Sequence, residues 1–458
     1  MSHRILFPVY VAFALLTPRL AGQAPPGCNP AGNVQFICGQ EAPEDLVVVP
    51  GSQWVFASVM AGGGGIRVIR VQDMTTSVVY PAATSREQLD AKTYDSCPGA
   101  PDAADKAAFR THGLALRPGR NSTHTLYAVH HGKRESIEVF RVDARATPPA
   151  LTWIGCAVVP DPIGLNSVVP LPDGGFVATD FLARGIDAAG RGKMMAGEPN
   201  GALWEWHTGK GWTKVTGSET AGANGIELSK DGKSFYVAAW GSQSFVRMSR
   251  GQTPVKKEAV PLGFRVDNLR WAPDGSILAA GQGGTAPSQT TNVVRIDPNT
   301  LKVQEIIRHP SAAGFGPGTV AVQIGKEIWV GSFRGDRIAR FPAAGAGVNA
   351  QQTGFTRTVL QQSKLSVPGR DGVTAVAEFQ PGGTVGRHTH PGEEIGYLLE
   401  GTLVFEIEGK PAMTLTAGQT FFIPAGTVHN ATNKTLSPAK VLANYLVDPG
   451  QPLATPVK

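Results

Sequence analysis

Apolar residues over most of this chain fall in short alternating runs, not in helical spacing. A polar residue or pair opens each unit, an alternating run follows, a turn closes it, and a second apolar strand begins. Such period-two runs predict half-buried β-strands. The units run from Glu44 to Pro50, then Trp54 to Ser58; from His112 to Pro118, then Leu126 to His130; and from Asn166 to Pro172, then Phe176 to Thr179. Two more run from Asn224 to Lys230, then Phe235 to Ala239, and from Asp267 to Pro273, then Ile277 to Ala280. A weaker sixth runs from Thr319 to Val322, then Ile328 to Ser332. Successive openings lie 68, 54, 58, 43 and 52 residues apart, enough for one four-stranded blade each. Third strands are legible at Ser136 to Val142 and Thr291 to Ile296. The pattern predicts an all-β chain whose residues 28–345 form a six-bladed β-propeller. The alternative is a β-sandwich with coincidental turns.

That register has a chemical consequence. Equivalent positions on radially arranged strands converge near the axis, so Glu44, His112, Asn166, Asn224, Asp267 and its neighbour Asn268 are brought to one channel mouth. Asx turns would account for isolated asparagines, not for their recurrence. Carboxylate and amide oxygens crowded away from water need a counter-charge, and oxygen donors suit a hard cation such as Ca²⁺.

Composition supports the all-β reading: 56 Gly and 35 Pro supply many turns, without the period of three of collagen. The net charge of +6 is spread out, with no basic run beyond Lys133-Arg134 and Lys256-Lys257, so no nucleic-acid partner is expected. Arg4, the apolar run Ile5 to Leu16 and the small residues from Leu20 to Ala24 have the shape of a signal peptide over 1–24. The run is too short to span a bilayer, so a secreted or periplasmic protein without a transmembrane segment is expected. Four cysteines, Cys28, Cys38, Cys97 and Cys156, fit two disulfides with three possible connectivities.

Several short stretches occur in the order of a known family: Pro43-Glu44-Asp45-Leu46, His112-Gly113-Leu114, Tyr127-Ala128-Val129-His130-His131, Leu165-Asn166-Ser167-Val168, Ala223-Asn224-Gly225-Ile226 and Val266-Asp267-Asn268-Leu269. Over residues 40–340 the chain resembles the paraoxonase/arylesterase family, itself close to the gluconolactonase and strictosidine-synthase-like propellers. The resemblance implies a catalytic calcium on Glu44, Asn166, Asn224, Asp267 and Asn268, with His112 and His131 beside the reacting carbonyl. His131, just before Gly132, is better placed than His130. The family's second, structural calcium would use Asp45, but Ser167 stands where an aspartate is expected. Such a site implies hydrolysis of an ester or lactone. The ion would stabilise the developing oxyanion; His112, Asp267 or Glu44 would take the proton of the attacking water. No Gly-x-Ser-x-Gly elbow points instead to a serine nucleophile.

Composition shifts to Ala, Gly and Gln over a linker at 346–353, and a second motif set follows over 354–458. Gly382 is followed after five residues by His388-Thr389-His390, after three more by Glu394 and after six by Gly401. Later come Gly418, Pro424-Ala425-Gly426, His429 and Asn433. His388 and His390, two apart on a strand, face one side. Three imidazoles and a carboxylate with open positions suit a divalent transition metal: Fe, Mn, Ni, Cu or Zn. The spacings resemble both signature motifs of the cupin superfamily, which implies a double-stranded β-helix (jelly-roll) barrel and allows oligomers through that domain. Three functions fit: a lactonase or arylesterase with a metal-binding cupin, a cupin-centred dioxygenase or isomerase using the propeller as ligand platform, or a non-enzymatic binding protein. The first accounts for all the channel residues, and its partner is a small ring-containing ester or lactone.

Overall fold

A computed structural model describes residues 28–457, except 32–33, 84, 287–288, 312–314, 344–352, 436, 449–450 and 452. The expected signal segment at 1–24 and nearly all of the expected linker lie outside the described residues. The chain is almost wholly β. Six separate sheets, antiparallel except where Arg86–Glu87 runs parallel to Ala150–Val158, follow one another between residues 35 and 342 in a six-bladed propeller arrangement, and a ten-stranded sheet takes up the rest. Among the described residues no helix is long and apolar enough to cross a membrane.

Each blade begins with an inner strand: Leu46–Val48, Arg110–Arg117, Leu165–Pro170, Ala223–Leu228, Arg265–Trp271 and Gly318–Ile324. Inner and second strands are buried on both faces, as along Ile277–Gly283, because neighbouring blades flank them. Among the outermost strands, Lys257–Pro261 is largely exposed, and its Lys257 and Glu258 discourage pairing with another sheet edge.

The repeat pattern misses how the ring closes. The strand Gln35–Cys38, upstream of the first repeat, pairs antiparallel with Arg337–Pro342 as the outermost strand of the sixth blade. Leu46 and Val55 of the first blade then pack in one cluster with Val320, Trp329 and Ile338 of the sixth. The first and last blades are thereby locked by burial as well as by strand pairing.

The two disulfides are Cys28–Cys38 and Cys97–Cys156. The first anchors the closing strand. The second ties the loop after the first blade to the second blade, across 59 residues. Closing a loop of that length restricts the unfolded chain by about 4 kcal/mol. The double variant Cys97→Ala/Cys156→Ala should therefore lose most of that amount, read as a lower denaturation temperature of the propeller; an unmoved transition would deny the crosslink a stabilising role.

The long strands of the ten-stranded unit alternate. Burial changes at every residue from Asp371 to Phe379 and along Ala439–Val447, so one face of each turns inward. Val373, Ala375, Phe379, Leu398, Phe405 and Tyr445 fill a near-closed barrel. His388–Thr389 pairs with both His429–Thr432 and the late strand Thr455–Pro456, which brings the two metal-motif segments side by side.

Candidate functional site

The channel residues owe their direction to one backbone device used five times. In the inner strands of blades two to six, two residues on one strand oppose one on the next. The shifts fall between Thr111 and Leu114, Leu165 and Val168, Ala223 and Ile226, Val266 and Leu269, and Gly318 and Ala321. A bulge re-aims the side chains it contains. The bulged pairs are His112-Gly113, Asn166-Ser167, Asn224-Gly225, Asp267-Asn268 and Thr319-Val320, and Glu44-Asp45 sits at the matching place before Leu46. Two of the pairs need glycine for close approach. A Cβ on Gly113 would lie 2.4 Å from the Asn166 carbonyl oxygen, and one on Gly225 would lie 2.5 Å from that of Asp267.

All five predicted oxygen donors, Glu44, Asn166, Asn224, Asp267 and Asn268, are buried. Asn268 Nδ2 donates to Glu44 Oε1 at 2.6 Å, and Gln282 Nε2 donates to Asp267 Oδ2 at 2.5 Å. Asn224 also hydrogen-bonds the Asp267 carboxylate. The amide nitrogens thus turn toward protein acceptors. Glu44 Oε2, Asn166 Oδ1, Asn224 Oδ1 and Asn268 Oδ1 are left buried without any hydrogen-bond partner. Each such atom costs roughly 1–3 kcal/mol, so four of them rival the stability of an ordinary domain. Burial raises both the Glu44 and the Asp267 carboxyls above the usual range, and for Asp267 the nearby Glu44 charge adds to the rise. Converging oxygens and two carboxylates short of positive charge fit a hard cation.

His112 and His131 meet beside these donors. His112 Nδ1 and His131 Nε2 are 2.9 Å apart, and His131 Nδ1 lies 2.9 Å from Glu135 Oε2. An ionised Glu135 only accepts, so His131 carries its proton on Nδ1 and accepts on Nε2 from His112 Nδ1–H. His112 Nε2 is then a lone pair facing Asn166 Nδ2 at 3.3 Å and Glu44 Oε1 at 3.6 Å. Burial holds both imidazoles below the ordinary histidine range, which favours their neutral forms. His130 turns the other way, with Nδ1 3.1 Å from the Arg110 carbonyl and its ring stacked on Phe109.

The sequence reading missed three participants. Glu135 pairs directly across the hairpin from His131 and also accepts the Leu165 N–H at 2.8 Å. Gln282 steers Asp267 from the second strand of its blade. The third is Arg270, which bears on Asp45. Asp45, the possible ligand of a second calcium, accepts the N–H groups of Leu46 at 2.8 Å and Leu114 at 2.6 Å and forms a buried ion pair with Arg270. Arg270 also donates to the carbonyls of Leu46, Leu114 and Leu269 and lies 3.6 Å from Glu227. Burial pushes Asp45 up to about 6 and Glu227 up to about 7, against the pull of the guanidinium. A protein cation occupies the second layer, and Ser167 contributes only a neutral hydroxyl there.

In the barrel, His388, His390 and His429 are buried, with one ring nitrogen of each within 4.8 Å of the others. The Nδ1 atoms all face backbone carbonyls: Gly386 at 2.7 Å, Leu453 at 2.5 Å and Thr427 at 3.0 Å. Donation to those carbonyls leaves three Nε2 lone pairs free for a metal. Glu394 Oε2 lies 3.0 Å from His390 Nε2 and 3.4 Å from His429 Nε2. Burial would raise the Glu394 carboxyl, but the adjacent His390 and His429 rings hold it well below the usual range. Burial, with the other two imidazoles, lowers His388 to about 3. Three imidazoles and a carboxylate match the donor set of a divalent transition metal. Asn433 closes the motif structurally, donating from Nδ2 to the carbonyls of Phe379 at 3.2 Å and Ser437 at 2.7 Å.

Residues 375–445 match the family model described as a cupin domain. The C-terminal unit is a cupin domain. The HTH-type transcriptional regulator PuuR of Escherichia coli K12 and that of Shigella flexneri are each 38% identical to this chain over 68 residues, 15% of this chain and 36% of the relative. The chain thus spans about a third of the length of the curated relatives it matches. A cupin superfamily protein from Desulfitobacterium hafniense DCB-2 is 20% identical over 22% of this chain and 84% of its own, with a TM-score of 0.18. An oxalate oxidase structure is 27% identical over 25% of this chain and 59% of its own, with a TM-score of 0.20.

Proposed function

We propose that the propeller hydrolyses a lactone or aryl ester at a single calcium held by Glu44, Asn166, Asn224, Asp267 and Asn268. The observation that carries this reading is the set of four buried, unpartnered oxygens on the predicted ligands. Calcium, when bound, supplies the positive charge that favours a developing oxyanion. The chain's own groups handle the proton. His112 Nε2 accepts it from the attacking water; His131 and Glu135 hold the tautomer that keeps this nitrogen unprotonated and stabilise the imidazolium that forms. Asn166 Nδ2, 3.3 Å away, fixes the ring's approach. One calcium rather than two follows from Arg270, whose guanidinium already neutralises Asp45.

The cupin is proposed to hold one Fe, Mn, Ni, Cu or Zn ion on His388, His390, Glu394 and His429. Export to the periplasm or the medium belongs to the same proposal, since two disulfides suit an oxidising compartment. Because the three cupin imidazoles are so thoroughly oriented, a cupin-centred oxygenase or isomerase is the second reading. His388→Ala in the full chain tests whether the two sites act independently. The account expects loss of the transition metal with hydrolysis of lactones and aryl esters intact; loss of both would indicate coupled domains.

A further inference from the structure

Arg265 opens the inner strand of the fifth blade, at the same end as the proposed calcium ligands and two residues before Asp267. Its guanidinium lies over the Trp240 ring, 4.3 Å from the centroid. Among the described residues no carboxylate pairs with it, and its Nη1 is buried without a hydrogen-bond partner. Hydrogen bonds tie this corner to the calcium site. Trp240 Nε1 donates to Gln282 Oε1 at 2.9 Å; Gln282 pairs directly across the hairpin from Arg265, and its Nε2 holds Asp267. Phe181 meets Trp240 edge to face, with ring centroids 5.8 Å apart. An aromatic wall bearing a half-buried cation thus adjoins the channel donors. A partly desolvated guanidinium without a counter-charge is costly. The chain does not supply one: calcium, when bound, balances Glu44 and Asp267, and Asp45 is already taken by Arg270. A guanidinium stacked on an indole keeps its planar fork for a second partner, and that fork matches a carboxylate with two parallel hydrogen bonds.

We infer that Arg265 is a specificity residue of the propeller site, and that the lactones or aryl esters it takes carry a carboxylate. Two residues of strand span about 7 Å, so that carboxylate and the reacting carbonyl stand roughly one aromatic ring apart. The inference rests on the hydrolase reading and names its substrate class. Anion selection by Arg265 is also read from binding alone, so the two can fail separately.

The experiment compares para-acetoxybenzoate with its neutral amide, para-acetoxybenzamide, on the full chain in saturating calcium. Each kcat/KM is divided by the ester's own rate of alkaline hydrolysis, which removes the difference between the leaving groups. The benzoate is expected to be preferred at least about tenfold, the factor that corresponds to about 1.4 kcal/mol, and the preference should lie in KM. Arg265→Gln should erase it while calcium titrates with unchanged affinity; Arg265→Lys, which keeps the charge but not the fork, should retain part of it. Equal use of the two esters, or a preference that survives Arg265→Gln, would overturn the inference. Calorimetric titration with benzoate, benzamide and phenyl phosphate gives the second readout. Benzoate should bind most tightly and lose that advantage in Arg265→Gln; benzamide binding as well, or phenyl phosphate binding better, would also overturn it. If neither ester is hydrolysed, the hydrolase reading fails by itself, and the calorimetry still decides whether Arg265 selects a carboxylate.

Discussion

Asn224→Ala is expected to abolish calcium binding in the propeller and to lower kcat/KM for lactone or aryl ester hydrolysis by at least about 10²–10³-fold. The substitution removes two things at once. Asn224 Oδ1 is one of the four buried oxygens without a partner, and its amide also hydrogen-bonds the Asp267 carboxylate. Alanine therefore deletes one donor and loosens another. Because the residue sits in a bulge, the blade itself has little to lose: Ala223 and Ile226 on either side keep their partners in the next strand. An asparagine that only formed a turn would, on substitution, lower thermal stability and leave calcium affinity alone. Calorimetric titration with calcium, beside the melting curve and the hydrolysis rate, distinguishes the two. Unchanged turnover would remove the channel from the mechanism.

The second large effect is expected at His112. His112→Gln should reduce kcat by about 10²–10⁴-fold, the usual contribution of a general base, while calcium still binds with its normal affinity. That split follows from the geometry. His112 Nε2 stands 3.6 Å from Glu44 Oε1, beside the oxygen donors, and its other nitrogen is committed to His131. A loss of calcium together with turnover would make His112 a ligand instead of a base. Glu135→Gln should give a smaller fall in kcat, because the amide can still contact His131 Nδ1 but no longer fixes which nitrogen carries the proton.

Much of the site was legible because chemistry and repeat coincide. Glu44, His112, Asn166, Asn224 and Asp267 each open a unit, so a one-dimensional register predicts a three-dimensional convergence, and the five bulges are the device that realises it. The cupin ligands were legible for a more local reason. His388 and His390 share one strand face, and Glu394 follows within a turn. What stayed hidden depends on distant pairing. Arg270 meets Asp45 across 225 residues, and nothing near either one marks the partner. Glu135 lay closer to reach: reading Gly132 to Arg134 as a hairpin turn would have set it opposite His131. The closing strand Gln35–Cys38 is short and lies before the first repeat, so periodicity could not assign it.

The most direct test of the central claim is calcium stoichiometry joined to activity, measured on the His388→Ala chain so that the cupin metal does not contribute. Purified protein is stripped with a chelator, titrated with calcium, and assayed against a panel of lactones and aryl esters at each addition. The account predicts one calcium per chain, no hydrolysis without it, and activity that rises in proportion to its binding. Full hydrolysis in calcium-free protein, or a chain that binds no calcium and hydrolyses nothing in the panel, would contradict it.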